Sequence, residues 1–540
     1  MKTPRKNIGW IAAGLSALLA TLAVPALAQG EDANRRTPAT AGGIDWHACA
    51  DSDFKNLQCG SLQVPVDWSA PRSGSTTLAL VRRSADDRAH RQGALLLNDG
   101  AGGSSIEQLR LAMRIGFPNF AGAMTQNFDV VAVDPRGVGH STPILCAEPL
   151  KPAGVSHFPK EQAAFDALVA HNRAFAEDCV RRNGGLIAHV DQTSTARDFE
   201  AVRIGLGERQ LNWYGIHYST LVGRTYAKLY PGRLRTMVLD TALDDTGSPL
   251  SRVTQEAATA ESAFNRFSAW CAASKECALH GKDVPAEYDA LVARADRDPI
   301  GTGGRAHQPV TGEDIREATQ DYLTLSGSTW AELAKAIVSA QGGDATDFTH
   351  DPDDTLDPTQ VQVPACLDNA RPVRNLSQLI ALQAALLRVS PHLGGAVRSY
   401  KAIAGCLGWP VPAEPVKAGA PVHGAPPALI LQSTHQALAP FRAGAAMAAQ
   451  LPGSVVLGHE GDDYSMFLAS KCVQKATNHY LTTLALPAPG TICTHLRTPS
   501  GWSVCSSSRL DAALSPIRNT PSSLSAPATA ASACAGRARS

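Results

Sequence analysis

Short, mostly apolar runs recur through the first half of the chain. Residues 94–98 (ALLLN) lead into a glycine-rich loop, and residues 128–134 (FDVVAVD) lead into the turn Pro135-Arg136-Gly137. Residues 211–215 (LNWYG) precede a helical stretch over about 221–230, and residues 236–240 (TMVLD) make a fourth run. Apolar at successive positions, such runs read as strands buried on both faces. Their alternation with helices predicts a parallel sheet. From 247 to 425 helical periodicity takes over, strongest at 257–271, 315–325, 331–341 and 376–387. Strand-like runs return at 428–432 and 454–457, and a helix follows over about 471–484. The pattern predicts an α/β core in two segments, 44–246 and 426–493, interrupted by a mostly helical insertion at 247–425.

The ends of the chain read differently. Lys2, Arg5 and Lys6 precede an apolar stretch over 8–28 that closes in Ala26-Leu27-Ala28. This is the pattern of a signal peptide (1–28) cleaved after Ala28, leaving a polar, flexible 29–43 and a secreted or periplasmic protein. An uncleaved anchor is the competing reading, against which the small-x-small end speaks. No later run of 18 apolar residues follows, so no membrane contact is expected after cleavage. Residues 494–540 are rich in Ser, Ala, Thr and Pro with almost no acids. They read as a disordered extension, or as a shifted reading frame after Cys493, and stand outside the fold either way.

Composition narrows the function classes. With 49 basic and 49 acidic residues the net charge is zero, so nothing in bulk draws this chain to nucleic acid. Twelve cysteines suit an exported protein. Ten fall into near pairs: Cys49/Cys59, Cys146/Cys179, Cys271/Cys277, Cys366/Cys406 and Cys472/Cys493. Five local bridges are the simple expectation, with Cys505 and Cys534 left over. Zinc competes weakly, because no C-x-x-C pair occurs. No cofactor or resident metal is expected.

Several longer motifs then occur in order. They are Val131-Ala132-Val133-Asp134-Pro135-Arg136-Gly137-Val138-Gly139-His140-Ser141, Thr195-Ala196-Arg197-Asp198-Phe199, Leu211-Asn212-Trp213-Tyr214-Gly215, the stretch 231–240, and the end from Tyr480-Leu481 to Gly490-Thr491-Ile492-Cys493. On these the chain resembles the secreted tripeptidyl-aminopeptidase-like branch of the prolyl-aminopeptidase group of α/β-hydrolases, over about 44–493. The resemblance implies an α/β-hydrolase fold, a mostly parallel sheet flanked by helices, with 247–425 as a helical cap over an active site at the C-terminal strand edge. It also implies a Ser-His-Asp mechanism releasing short peptides from free N-termini, and so a peptide or a small ester or amide as ligand.

The chemistry departs from that pattern at each working position. A nucleophile elbow reads G-x-S-x-G, because small neighbours permit the strained strand-to-helix turn that exposes the serine. Here the turn is Gly215-Ile216-His217-Tyr218-Ser219, which puts His217 at the nucleophile position, and no intact G-x-S-x-G exists in the mature chain. The acid position falls on Gln436 in Thr434-His435-Gln436-Ala437-Leu438-Ala439-Pro440; a neutral amide cannot stabilise an imidazolium by charge. Counting back from Cys472 puts Tyr464 at the base position, and a phenol of pKa about 10 is a poor base at neutral pH. The oxyanion loop, Asn98-Asp99-Gly100-Ala101-Gly102-Gly103, is one residue short and carries Asp99 where the family has Pro. A carboxylate there would repel a developing oxyanion.

Four departures on the chemistry beside an intact scaffold predict a pseudoenzyme that binds peptides without cleaving them by the family mechanism. The alternative is an active hydrolase with a rebuilt site, for which Ser219, His459 and Asp462 are the fallback candidates. Ser219 otherwise reads as a hydroxyl capping a helix N-terminus. Three histidines, His217, His435 and His459, raise a zinc reading that requires their side chains to converge on one ion. Asp134 and His140 read as parts of a structural turn, Trp213 and Tyr214 as sheet core, and Asp240 as either a cleft residue or a solvated strand end.

Overall fold

One sheet carries the core. The computed structural model describes residues 43–494, apart from 55–56, 99–102, 115–122, 148–149, 304–307, 326–328, 350–356, 414 and 417–418. Its strands are β1 (Asp45–Ala48), β2 (Gln58–Pro65), β3 (Ser75–Arg83), β4 (Ala94–Asn98), β5 (Asp129–Val133), β6 (Leu211–Ile216), β7 (Leu234–Asp240), β8 (Leu429–Ser433), β9 (Val455–Glu460) and β10 (Ile492–Thr494). They lie in the order β1-β2-β3-β5-β4-β6-β7-β8-β9-β10. The first four in that row pair antiparallel, and every pairing from β5 to β10 is parallel. Thr494, placed in the tail by the sequence pattern, is thus the last residue of the sheet. The signal-like segment, the rest of the tail, Cys505 and Cys534 lie outside the described residues.

The apolar runs behave as their pattern requires. β4, β5 and β8 are buried at every position. Successive side chains of a strand point to opposite faces. Accordingly, Leu96, Val131, Trp213, Met237 and Ile430 pack into one layer. Their neighbours Leu95, Val130, Tyr214, Val238 and Leu429 pack into the layer on the other face. Trp213 is fully buried and Tyr214 nearly so, as core residues of the sheet.

The insertion folds around its own core. Helices Pro249–Ala273, Val284–Arg297, Gly312–Leu325, Trp330–Gln341, Pro358–Asp368, Leu376–Val389 and Arg398–Gly405 follow one another. Phe264, Phe267, Tyr288, Trp330, Ile337 and Tyr400 pack between them. The first of these helices starts where Ser248 accepts a hydrogen bond from the Ser251 N–H, with Pro249 in the first turn, a strong start signal.

Two further devices fasten the scaffold. All five expected cysteine pairs are bridged, Cys49–Cys59, Cys146–Cys179, Cys271–Cys277, Cys366–Cys406 and Cys472–Cys493. The other is a buried ion pair between two of the motifs. Arg136 meets both carboxylate oxygens of Asp198, with Nε 2.6 Å from Oδ2. Its remaining N–H groups donate to the carbonyls of Pro65, Val66 and His189, so all five donors are used. Among the described residues, no helix is long and apolar enough to cross a membrane.

Candidate functional site

β6 delivers its last residues to a turn that bends straight into helix Tyr218–Leu229. His217 occupies the turn at φ 51° and ψ −115°, a conformation that costs a non-glycine residue roughly 1–3 kcal/mol. The backbone of a nucleophile elbow is therefore present, with an imidazole in place of the hydroxyl. Gly215 is obligatory beneath it. A methyl group there would lie 2.6 Å from Trp213 Nε1 and 2.7 Å from Ser219 Oγ. We expect Gly215→Ala to destabilise the fold by about 1–3 kcal/mol in denaturant unfolding, through overpacking of the turn.

Above the turn lies a cavity of about 360 Å³, a volume within the range of small-ligand sites. The core contributes His217, Tyr218 and Leu221 to its wall, and the cap contributes Arg252, Asp368 and Arg398. Burial, helped by the nearby Arg398 charge, drives the His217 imidazole down to a pKa of about 3, so it is neutral at physiological pH. Asp368 moves the other way. It accepts hydrogen bonds from the Tyr218 hydroxyl and, at 3.0 Å, from the Gln192 N–H. Burial outweighs those bonds and raises its carboxyl to about 7.

The base position is close by. The rings of His217 and Tyr464 have centroids 5.9 Å apart. The end of β7 ties them together. The His217 N–H donates to the Asp240 carbonyl at 2.9 Å, and the Thr241 hydroxyl donates to the Tyr464 carbonyl. Asp240 itself is fully buried, so it is neither a cleft residue nor a solvated strand end. Its carboxylate accepts from Tyr214 Oη at 2.7 Å, Ser465 Oγ at 2.9 Å, and the N–H groups of Met466 and Phe467. It frames the loop that presents Tyr464.

Gln436 has other work. Its Nε2 donates to the Thr324 carbonyl in the last turn of cap helix Gly312–Leu325 at 3.0 Å, while its Oε1 accepts from the N–H groups of Leu438 and Ala439. The contact with Thr324 needs a donor, which a carboxylate lacks. An amide at this position fastens the loop to the cap.

The fallback set does not assemble around an open hydroxyl. Ser219 is fully buried, and its Oγ has no hydrogen-bond partner among the described residues. It is therefore neither an accessible nucleophile nor a helix cap; it fills the space over Gly215. Asp462 is held by Arg266 of the cap in a two-pronged pair at 2.7 and 2.8 Å. His459 is enclosed and meets Asp463 at 2.8 Å. His435 lies 3.4 Å from Glu460. His217, His435 and His459 form no metal-ligating group among the described residues, where the one such group is His157, Glu313 and Glu317.

On the oxyanion side, Asn98 ends β4 beside Gly215 of β6. It is buried, and its amide has no hydrogen-bond partner among the described residues. Asp99, Gly100 and Gly102 lie outside those residues; Gly103 is buried at the far end of the loop. Asp134 holds that end through Ser104 Oγ at 2.9 Å and the N–H groups of Ile106 and His140, a structural part for the turn that carries His140.

This architecture matches known proteins along most of its length. The family described as alpha/beta hydrolase fold matches residues 93–286, and the family described as TAP-like protein matches residues 391–493. A Mycobacterium tuberculosis protein described as carboxylesterase B is 30% identical over 531 residues, covering 90% of this chain and 97% of that one. The chain belongs to the TAP-like α/β-hydrolases. Within this family, a tripeptidyl aminopeptidase of Streptomyces coelicolor is 29% identical over 492 residues, covering 85% of this chain and 88% of that one. The serine protease Hip1 of Mycobacterium tuberculosis is 27% identical over 513 residues, covering 86% and 93%.

The cap side of this TAP-like site was not legible from motifs. Arg252, the neighbouring Asp368 and Arg371, and Arg398 come from three separate places in the insertion and carry no local signature.

Proposed function

We propose that this TAP-like α/β-hydrolase is an exported pseudoenzyme that holds short peptides in the cavity beneath its cap and does not cleave them by a serine triad. The observation that carries the reading is His217. It takes the strained backbone position from which a serine would face the cavity, while Ser219, two residues on, is sealed beneath the turn. The positions for acid and base, Gln436 and Tyr464, bring no carboxylate and no second imidazole. Peptide is the ligand class named for the tripeptidyl aminopeptidase relative. Export is supported by five disulfides together with the signal-like N-terminus.

The test is a fluorophosphonate probe, which needs an activated serine but not the right substrate. The mature protein is expected to carry no adduct in peptide mass mapping, while a family member with an intact triad labels in parallel. Release of tripeptides from a peptide substrate is expected to run about 10⁴-fold or more below that enzyme, the scale of losing triad members. An adduct on Ser219, or on any other serine, would establish a rebuilt hydrolase.

A further inference from the structure

The electrostatics of the cavity favour one kind of ligand end over the other. Three guanidiniums line it, those of Arg252, Arg371 and Arg398. Arg398 pairs with Asp321 at 3.0 Å. Arg252 makes a single long hydrogen bond, 3.4 Å to Asn369 Oδ1, and no ion pair reaches it among the described residues. Arg371 donates to the carbonyls of Cys366, Trp409 and Val411 and likewise has no ion pair among the described residues. Burial lowers the pKa of both, a sign that their charge is poorly compensated.

The carboxylates of the same wall are already engaged. Asp245 meets Arg224 at 2.6 Å. Asp244 accepts from the Thr246 N–H at 2.8 Å and its hydroxyl at 2.6 Å. These two act on Arg252 only through space. Glu256 accepts from Gln320 at 2.8 Å and from the Ser399 hydroxyl, and burial raises its pKa. Asp368 is held by Tyr218 and Gln192, with its carboxyl up at about 7. None of these acids makes an ion pair with Arg252 among the described residues, and Arg252 keeps a partly desolvated positive charge with donors to spare. A guanidinium in that state is best completed by a carboxylate, which it can engage through two parallel N–H bonds.

We propose that the cavity takes a short peptide by its free C-terminal carboxylate, with Arg252 receiving that group. This rests on the peptide-binding reading above and adds a direction to it. The scissile-bond chemistry implied by the family resemblance centres on a free N-terminus; this wall selects for the other end of the chain.

Calorimetric titration with tri-alanine, tri-alanine amide and N-acetyl-tri-alanine tests it. The free acid and the N-acetyl peptide are expected to bind alike. The amide should bind about tenfold to a hundredfold more weakly, the range for one charge-assisted pair. Arg252→Gln should bring the free acid down to the level of the amide, and Arg252→Lys should recover part of the difference. Equal binding of acid and amide overturns the proposal while leaving peptide binding in place, as does a loss on N-acetylation instead of amidation. No binding by any of the three overturns both readings. Mass spectrometry of the titrated peptides adds a separate arm: released alanine would refute the non-cleaving function, and the acid-to-amide ratio would still judge Arg252. That ratio is measured on the unaltered protein, so it stands even where Arg252→Gln fails to fold.

Discussion

Asp198→Ala will cost about 3–5 kcal/mol of unfolding free energy, the range for breaking a buried ion pair from one side. Arg136 then keeps its charge in a site from which water is excluded, because its side chain is fully buried. Its hydrogen bonds to the Pro65, Val66 and His189 carbonyls remain but bring no negative charge. Trp68 also loses the carboxylate oxygen that accepts its indole N–H at 3.0 Å. The damage should spread, since Arg136 fastens the end of β2, the loop at His189 and helix Gln192–Gly205 to one another. Denaturant unfolding of Asp198→Ala against wild type measures the cost. Replacing both partners by apolar residues of similar volume should recover much of it, since the penalty lies in the orphaned charge. A loss below about 1 kcal/mol would show that the pair is not the fastening it looks like.

That pair also explains why the sequence motifs identified the fold so readily. Arg136 belongs to the Asp-Pro-Arg-Gly turn and Asp198 to the Thr-Ala-Arg-Asp-Phe stretch, and each motif is half of one buried contact. The central parallel strands were legible for a related reason. β4, β5 and β8 are buried on both faces, so their middle positions are apolar, with polar residues (Asn98, Asp129, Gln432, Ser433) only at the ends, and each run stood out against its surroundings. β1–β3 gave no such signal. They pair antiparallel at the margin of the sheet, and in β2 buried Leu62 and Val64 alternate with the more open Ser61 and Gln63. Helix Gln162–Asn183 also went unread; its buried residues, among them Asn172 and Asp178, include polar side chains that blur the apolar period.

The site was legible in its backbone and not in its environment. Gly215 sits too close to Trp213 for any side chain and His217 keeps the positive φ of the turn, so the elbow's backbone persists with its nucleophile replaced. The role of Gln436 could not be read, because the Thr324 carbonyl it caps lies in the cap, over a hundred positions away. The burial of Ser219 was hidden for a similar reason. The hydroxyl occupies the space left by a glycine four residues earlier, a relation that exists only once strand and helix are folded together. The arginines of the cavity are further still from any local pattern. The charge of Arg252 and Arg371 becomes informative only once it is known that no ion pair reaches either among the described residues.

The same wall makes stability depend on pH in two opposing ways. His217 has a native pKa of about 3 against an ordinary 6.5, so between those values the unfolded chain binds a proton that the native one refuses. Its contribution is complete above 6.5 and is lost as the pH falls toward 3, on the order of 5 kcal/mol in all. Asp368, at about 7 against an ordinary 3.8, has the reverse sign: its contribution is complete below 3.8 and is lost as the pH rises to about 7. Between pH 4 and 6.5 the two slopes oppose each other in the wild-type protein. Removing one group should unmask the other. The stability of His217→Asn relative to wild type should grow as the pH falls from 6.5 to 4, and that of Asp368→Asn relative to wild type should grow as it rises over the same interval. Denaturant midpoints at half-unit pH steps for the three proteins are sufficient. Curves that stay parallel throughout would mean that neither group is shifted by burial. A slope in the His217→Asn difference alone would mean that Asp368 is solvated through the cavity and titrates as an ordinary carboxylate.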